Sequence, residues 1–234
     1  MATTLSPTRS DATFVLIIPV HNEENALEAF LSLLMRTHPG WSVIAVDDGS
    51  CDATPSILRT HRIETLRHEQ NQGKGAALLS GLRAAQKKGY SWAITLDGDG
   101  QHHPEHIDDF VARSRDSGAQ LVLGVRQFRQ RGMPWHRQLS NQLTSLLISL
   151  GAGQRIHDSQ CGYRAYDLSS DVWQSCRERG FQFESEVLLR LGKSGGKMEE
   201  IPVSTLYPDD SKSHIRLFQD TFAFLRLLIR SLTW

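Results

Sequence analysis

Short apolar runs alternate with helix-period segments through the first half of the chain, and three of the runs end in polar, acid-rich turns. FVLIIPV at 14–20 and the VIAV of WSVIAVDDGS at 43–46 are almost continuously apolar, as strands are when helices cover both faces of a sheet. Between them Ala26, Leu27, Phe30, Leu31, Leu33 and Leu34 recur at helical spacing. Thr54-Pro55 opens a second helix, with threonine as its cap and proline at its first position. Further strands are expected at 63–66, 92–96 and 120–125, with helices over 76–88 and from Pro104. This alternation predicts an α/β fold with a mostly parallel central sheet. One domain over 13–234 accommodates it, behind a flexible lead at 1–12 that has no signal-peptide core.

In such sheets ligands bind beyond the carboxyl ends of the strands. There the chain places Pro19-Val20-His21-Asn22-Glu23-Glu24, then Asp47-Asp48-Gly49-Ser50, then Asp97-Gly98-Asp99-Gly100-Gln101. Any one of these turns reads equally as a solvated loop or a helix cap. Three acidic turns on one rim point to a site. Asp97 and Asp99 repel each other unless a divalent cation and phosphate oxygens share them. Oxygen donors favour Mg²⁺ or Mn²⁺ over zinc. His102, His103 and His106 are not expected to converge, because Pro104 starts a helix among them.

Other classes are excluded or disfavoured. The 26 Lys and Arg balance the 26 Asp and Glu, so no net field favours nucleic acid. Three cysteines (Cys51, Cys161 and Cys176) form no C-x-x-C pair, which suits a reducing compartment, and Cys161 reads as structural. No G-x-G-x-x-G follows the first strand, and Gln72-Gly73-Lys74-Gly75-Ala76 lacks the Ser or Thr and the upstream Gly of a P-loop. Gly73 and Gly75 serve either a tight helix entry or close approach to a ligand.

IIPVHNEE, VDDGS, NQGKGAAL and LDGDGQHHPE, in this order and spacing, resemble the family 2 glycosyltransferases of GT-A fold. Within them the pattern is most similar to the dolichol-phosphate mannose synthase-like, polyprenyl-phosphate branch. LVLGVR, HDSQCGYRAY, FESEVLLRL and EEIPV extend the resemblance over roughly 13–216. It implies a metal-dependent, inverting transfer of a hexose from a GDP- or UDP-linked donor to a polyprenyl phosphate. Pro19, His21, Glu23 and Asp48 would hold the nucleoside, with His21 where the family often has Tyr. Asp97, Gly98, Asp99 and Gln101 would surround the diphosphate, with Asp97, Asp99 and Gln101 on the metal and Asp99 counted with the catalytic groups. Lys74 joins the donor contacts. Arg126 would approach the diphosphate or sugar, or else form a surface ion pair.

On the acceptor side, Arg137 and Lys212 are candidates for an anionic group, although YPDDSKSHIR carries Asp209 and Asp210 where the family usually has a basic stretch. Asp158 matches the acidic position proposed as a base; an ionised phosphate acceptor needs little proton abstraction, whereas a hydroxyl needs a base. With a phosphate acceptor Asp158 would instead orient cationic neighbours, and a turn cap is the remaining alternative. Glu184 and Glu186 read as helix caps. A hydroxyl acceptor on a lipid or small molecule, or nucleotide binding without turnover, are the competing functions. Leu139, Leu143, Leu146, Leu147 and Leu150 fall on one helical face. Leu217, Phe218, Phe222, Leu225, Leu228, Ile229 and Leu232 form another, within an amphipathic helix over 217–234. Either face suits a membrane interface, the core or an oligomer contact. A cytoplasmic protein, peripheral on the cytosolic face of a membrane, is the expectation.

Overall fold

The computed structural model describes residues 13–126, 135–205 and 217–234, with side-chain surroundings for all of these except 135–137 and 217–221. Seven strands form one sheet in the order β3-β2-β1-β4-β6-β5-β7. β1 (Phe14–Val20), β2 (Val43–Asp47), β3 (Glu64–Arg67) and β4 (Trp92–Thr95) run parallel, as do β5 (Leu121–Arg126) and β7 (Met198–Val203). β6 (Arg164–Asp167) is antiparallel to both β4 and β5 and joins the two blocks.

Strand periodicity divides the core in two. Val15 and Ile17 of β1, with Ile44 and Val46 of β2, face α3 (Lys74–Lys87), α5 (Trp135–Ala152) and α6 (Gln182–Lys193). Leu16, Ile18 and Val20, with Val43 and Ala45, face α1 (Glu24–Thr37), α2 (Thr54–Thr60) and α4 (Ile107–Asp116). α7 (Leu217–Ser231) packs on α6, and its Leu227 is fully buried. Side chains alternate across a pleated strand, so an unbroken apolar run feeds both layers at once.

Two boundaries differ from expectation. Thr54 lies inside α2, and its N–H is capped by the Asp52 carboxylate at 2.9 Å. α3 begins at Lys74, two residues early, because Asp48 accepts the N–H groups of Gln72 (2.9 Å) and Gly73 (2.8 Å) and fixes the turn leading into the helix. Gly75 is required here, since a Cβ would lie 2.5 Å from Phe183 Cβ and 2.6 Å from Gly180 O. The glycine lets the start of α3 meet the start of α6.

Candidate active site

The turns after β1, β2 and β4 meet at one rim, as the sequence suggests. They are stitched together: the Asn22 N–H donates to Ser50 Oγ (3.0 Å), the Glu23 N–H to Thr54 Oγ1 (2.9 Å), and the Asp48 N–H to Val20 O (2.9 Å). Asp48 also takes His68 Nδ1 at 2.6 Å, so its buried carboxylate ties together the loops after β2 and β3. Pro19 is the penultimate residue of β1, paired with Val46 of β2, and His21 carries a buried Nδ1 with no hydrogen-bond partner.

Beyond β4 the carboxylates divide by environment. Asp97 Oδ1 lies 2.7 Å from Lys74 Nζ. Burial opposes its charge, but Lys74, then His102, hold its pKa below the usual aspartate value. Asp99 accepts the Gln101 N–H at 2.9 Å, yet burial and then the charge of Asp97 push it up to about 6. Burial, then Asp99 and Asp97, raise Glu23 to about 7. His102 is buried, its Nε2 3.9 Å from Asp97 Oδ2, and burial lowers it to about 4. It is therefore neutral near pH 7. His106 turns instead to Ser204 Oγ (2.7 Å) and Asp109 (3.1 Å), so the three histidines do not converge.

These donors fit a hard divalent cation. Asp97 and Asp99 offer oxygen alone, and the crowding that keeps Asp99 and Glu23 partly protonated is what a cation relieves. Among the described residues no group of three or more His, Cys, Asp or Glu is arranged to hold a metal ion. Two carboxylates suffice for Mg²⁺, which completes its shell with substrate phosphates and water.

The raised Glu23 and Asp99 give a sign for pH. Their folded pKa values lie above the unfolded ones (4.5 for Glu23, 3.8 for Asp99), so their contribution is fully present below those values and lost as pH rises through about 7 and about 6. Metal-free protein in chelator is expected to lose stability between about pH 4.5 and 7. Urea titrations should show that slope flattened in Glu23→Gln.

Across the cleft, Arg126 at the end of β5 grips Asp158. Asp158 Oδ2 accepts from Arg126 Nε (2.7 Å) and from the Arg126 backbone N–H (3.2 Å); Oδ1 accepts from a terminal guanidinium nitrogen (2.9 Å) and from the Gln160 N–H (3.1 Å). The carboxylate is fully buried and four hydrogen bonds occupy it. It holds a guanidinium in place, with no lone pair directed at the cleft.

One participant, Arg164, is not marked by the sequence, and two named carboxylates do more than cap. Glu184 stands in the first turn of α6 as expected, but no side-chain hydrogen bond caps that helix, and the Glu184 Oε2 lies 3.2 Å from Lys74 Nζ. Glu186 accepts the Arg177 and Glu178 N–H groups, both at 2.7 Å, and pairs with Arg190 and Arg230. Arg164 is fully buried and donates to three backbone carbonyls, of Cys161 (2.8 Å), Glu184 (2.8 Å) and Ser159 (2.7 Å), tying the Asp158 loop to α6. Cys161 is structural as expected, its buried thiol raised to about 12.

Gly162 closes the floor. A Cβ there would lie 2.5 Å from Asp97 Oδ2 and 2.9 Å from Lys74 Nζ. Gly162→Ala is expected to displace Asp97 and lower kcat/KM about 10²-fold, the usual cost of a small misplacement of a reacting group. Steady-state kinetics and a melting curve should show most of the loss in activity. Arg137 falls in the first turn of α5, but its side chain, and all of Lys212, lie outside the described residues.

The model for glycosyl transferase family 2 matches residues 15–172, a span that includes all three acidic turns and the Asp158 loop. The chain belongs to this family. It is a glycosyltransferase of GT-A fold. It is 29% identical over 226 residues to a UDP-N-acetylglucosamine–dolichyl-phosphate N-acetylglucosaminyltransferase of Methanococcus voltae, covering 86% of this chain and 89% of that one. It is 28% identical over 202 residues to a polyprenol monophosphomannose synthase of Mycolicibacterium smegmatis, covering 81% and 76%. Glucosyl-3-phosphoglycerate synthase of Mycobacterium tuberculosis, solved with Mn²⁺, UDP and glucosyl-3-phosphoglycerate, shares the fold at a TM-score of 0.73 and 19% identity over 96% of this chain and 80% of that one.

Proposed function

We propose that this glycosyltransferase moves a hexose from a GDP- or UDP-linked donor to a polyprenyl phosphate, with inversion at the anomeric carbon and with Mg²⁺ or Mn²⁺ bound. The observation that carries the acceptor class is the full engagement of Asp158. A hydroxyl acceptor needs a base to take its proton, and the carboxylate proposed for that work is occupied by Arg126 and Gln160. A phosphate oxygen is already anionic and needs none. The relatives named for dolichyl-phosphate and polyprenol chemistry support the same class.

In this reading Pro19, His21, Glu23 and Asp48 border the nucleoside, while Asp97, Asp99 and Gln101 hold the cation. The cation, when bound, neutralises charge on the departing diphosphate. Arg126, oriented by Asp158, adds a fixed positive group beside it, and Arg137 and Lys212 receive the acceptor phosphate. A phosphate oxygen forms a bond to the anomeric carbon from the face opposite the diphosphate. The bond from that carbon to the diphosphate oxygen breaks, and its electron pair leaves with the nucleoside diphosphate. No proton changes hands.

A membrane-surface location accompanies this acceptor. The core alternative does not hold for four of the five leucines of the α5 stripe, among them Leu143 (56% exposed) and Leu150 (72%), nor for Phe222 (72%) and Ile229 (69%) of α7. No described helix is long and apolar enough to cross a membrane. Both stripes would rest in the bilayer interface. Leu146→Glu with Leu150→Glu is expected to cut co-sedimentation with anionic vesicles at least fivefold, given the cost of burying charge there.

Purified protein with Mn²⁺ and a panel of nucleotide-sugars tests the function. Nucleoside diphosphate release from one donor, strongly stimulated by polyprenyl phosphate, is the expected result. Release stimulated instead by a hydroxyl-bearing lipid would move the acceptor to the other class.

A further inference from the structure

Lys74 is placed between two carboxylates that come from distant parts of the chain. Its Nζ lies 2.7 Å from Asp97 Oδ1 and 3.2 Å from Glu184 Oε2. Two glycines build this arrangement: Gly75 brings the start of α3 against α6, and Gly162 leaves room for Asp97 and the ammonium beneath the Asp158 loop. Glu184 has capacity to spare. Its Oε1 is buried with no hydrogen-bond partner, and the Arg164 Nε at 3.7 Å donates to Cys161 O. An ammonium has three N–H donors, so a small displacement of Lys74 toward Glu184 would satisfy that carboxylate while releasing Asp97.

The geometry points to Glu184 as the second seat of the Lys74 ammonium: Lys74 serves as the resident counter-ion of Asp97, and passes to Glu184 when Asp97 takes up a divalent cation. This rests on the reading of Asp97 and Asp99 as the cation site. Without Glu184 the ammonium has one carboxylate left and competes with the cation for it. Without Lys74 the competitor is gone and the site gains negative charge. Glu184 is thus a positioning residue whose effect on cation affinity is opposite in sign to that of Lys74. A merely structural pair would behave otherwise, since breaking it from either side should disorder the site alike.

The test is Mn²⁺ binding to the full chain, without donor or acceptor, followed at pH 8 by calorimetry and by the electron paramagnetic resonance signal of free Mn²⁺. Glu184→Gln is expected to weaken Mn²⁺ binding about tenfold, and Lys74→Met to tighten it about tenfold, as expected for a unit charge gained or lost near contact distance. Glu184→Asp should restore most of the affinity. Circular dichroism reports whether each variant folds; if Glu184→Gln does not, Lys74→Met and Glu184→Asp still give the sign. Variants that shift affinity in the same direction, or not at all, while the wild type binds Mn²⁺, overturn the inference and leave the cation site standing. A wild type that binds no Mn²⁺, with or without UDP or GDP, overturns both.

Discussion

Asp99→Asn is expected to lower kcat/KM by about 10³-fold, a loss of about 4 kcal/mol in transition-state stabilisation. The substitution is chosen because it leaves the turn intact. An asparagine oxygen can still accept the Gln101 N–H that Asp99 takes at 2.9 Å, so what disappears is the charge. With it goes half of the carboxylate pair that would hold the cation against the diphosphate. Calorimetry should show Mn²⁺-dependent nucleoside diphosphate binding lost in the variant, and excess Mn²⁺ should not restore turnover. Asp97→Asn is the less clean choice, because it also strips Lys74 of its closest counter-ion. Full activity in Asp99→Asn would remove this residue from the metal site and from the catalytic groups.

What the sequence disclosed follows from where its signals are local. β1, β2 and β4 were legible to within a residue because each is a nearly unbroken apolar run, and the acidic turns were legible because they follow those runs directly. β6 was not. RAYD is four residues long and starts with an arginine, which reads as surface, yet Arg164 is fully buried among backbone carbonyls that only the folded chain brings together. Glu184 was misassigned for the same reason. Near a helix start a glutamate has a sufficient local explanation, and its true partner, Lys74, lies 110 positions earlier in the chain. An ion pair for Arg126 and an orienting role for Asp158 were each among the expected readings, but neither named the other as its partner, and the pair is buried where a surface pair was expected. Their pairing depends on β5 and the 158–162 loop meeting across β6, a register that no motif encodes. Pairings between distant charged residues are the part of such a site that spacing cannot supply.

That pairing makes Asp158→Asn the substitution with the second large effect, and the one that separates a base from a clamp. An asparagine in this position presents an amide N–H₂ to a guanidinium that has only donors to offer. Removing one partner of a buried ion pair costs about 3–5 kcal/mol, and the misplaced Arg126 should lower kcat/KM by 10²-fold or more, on the order of what a lost oxyanion donor costs. If Asp158 acts through Arg126, Arg126→Met should produce a loss of similar size, and the double variant should fall little further, as coupled residues do. The pH profile decides the remaining point. With a phosphate acceptor, the acid limb of kcat/KM falls below roughly pH 6, where the phosphate itself takes a proton, and that limb should survive in Asp158→Asn. A base at Asp158 would contribute a limb of its own that vanishes with the carboxylate, and Arg126→Met would leave that limb in place. Additive losses with a missing limb would therefore return Asp158 to proton transfer, and the acceptor to a hydroxyl.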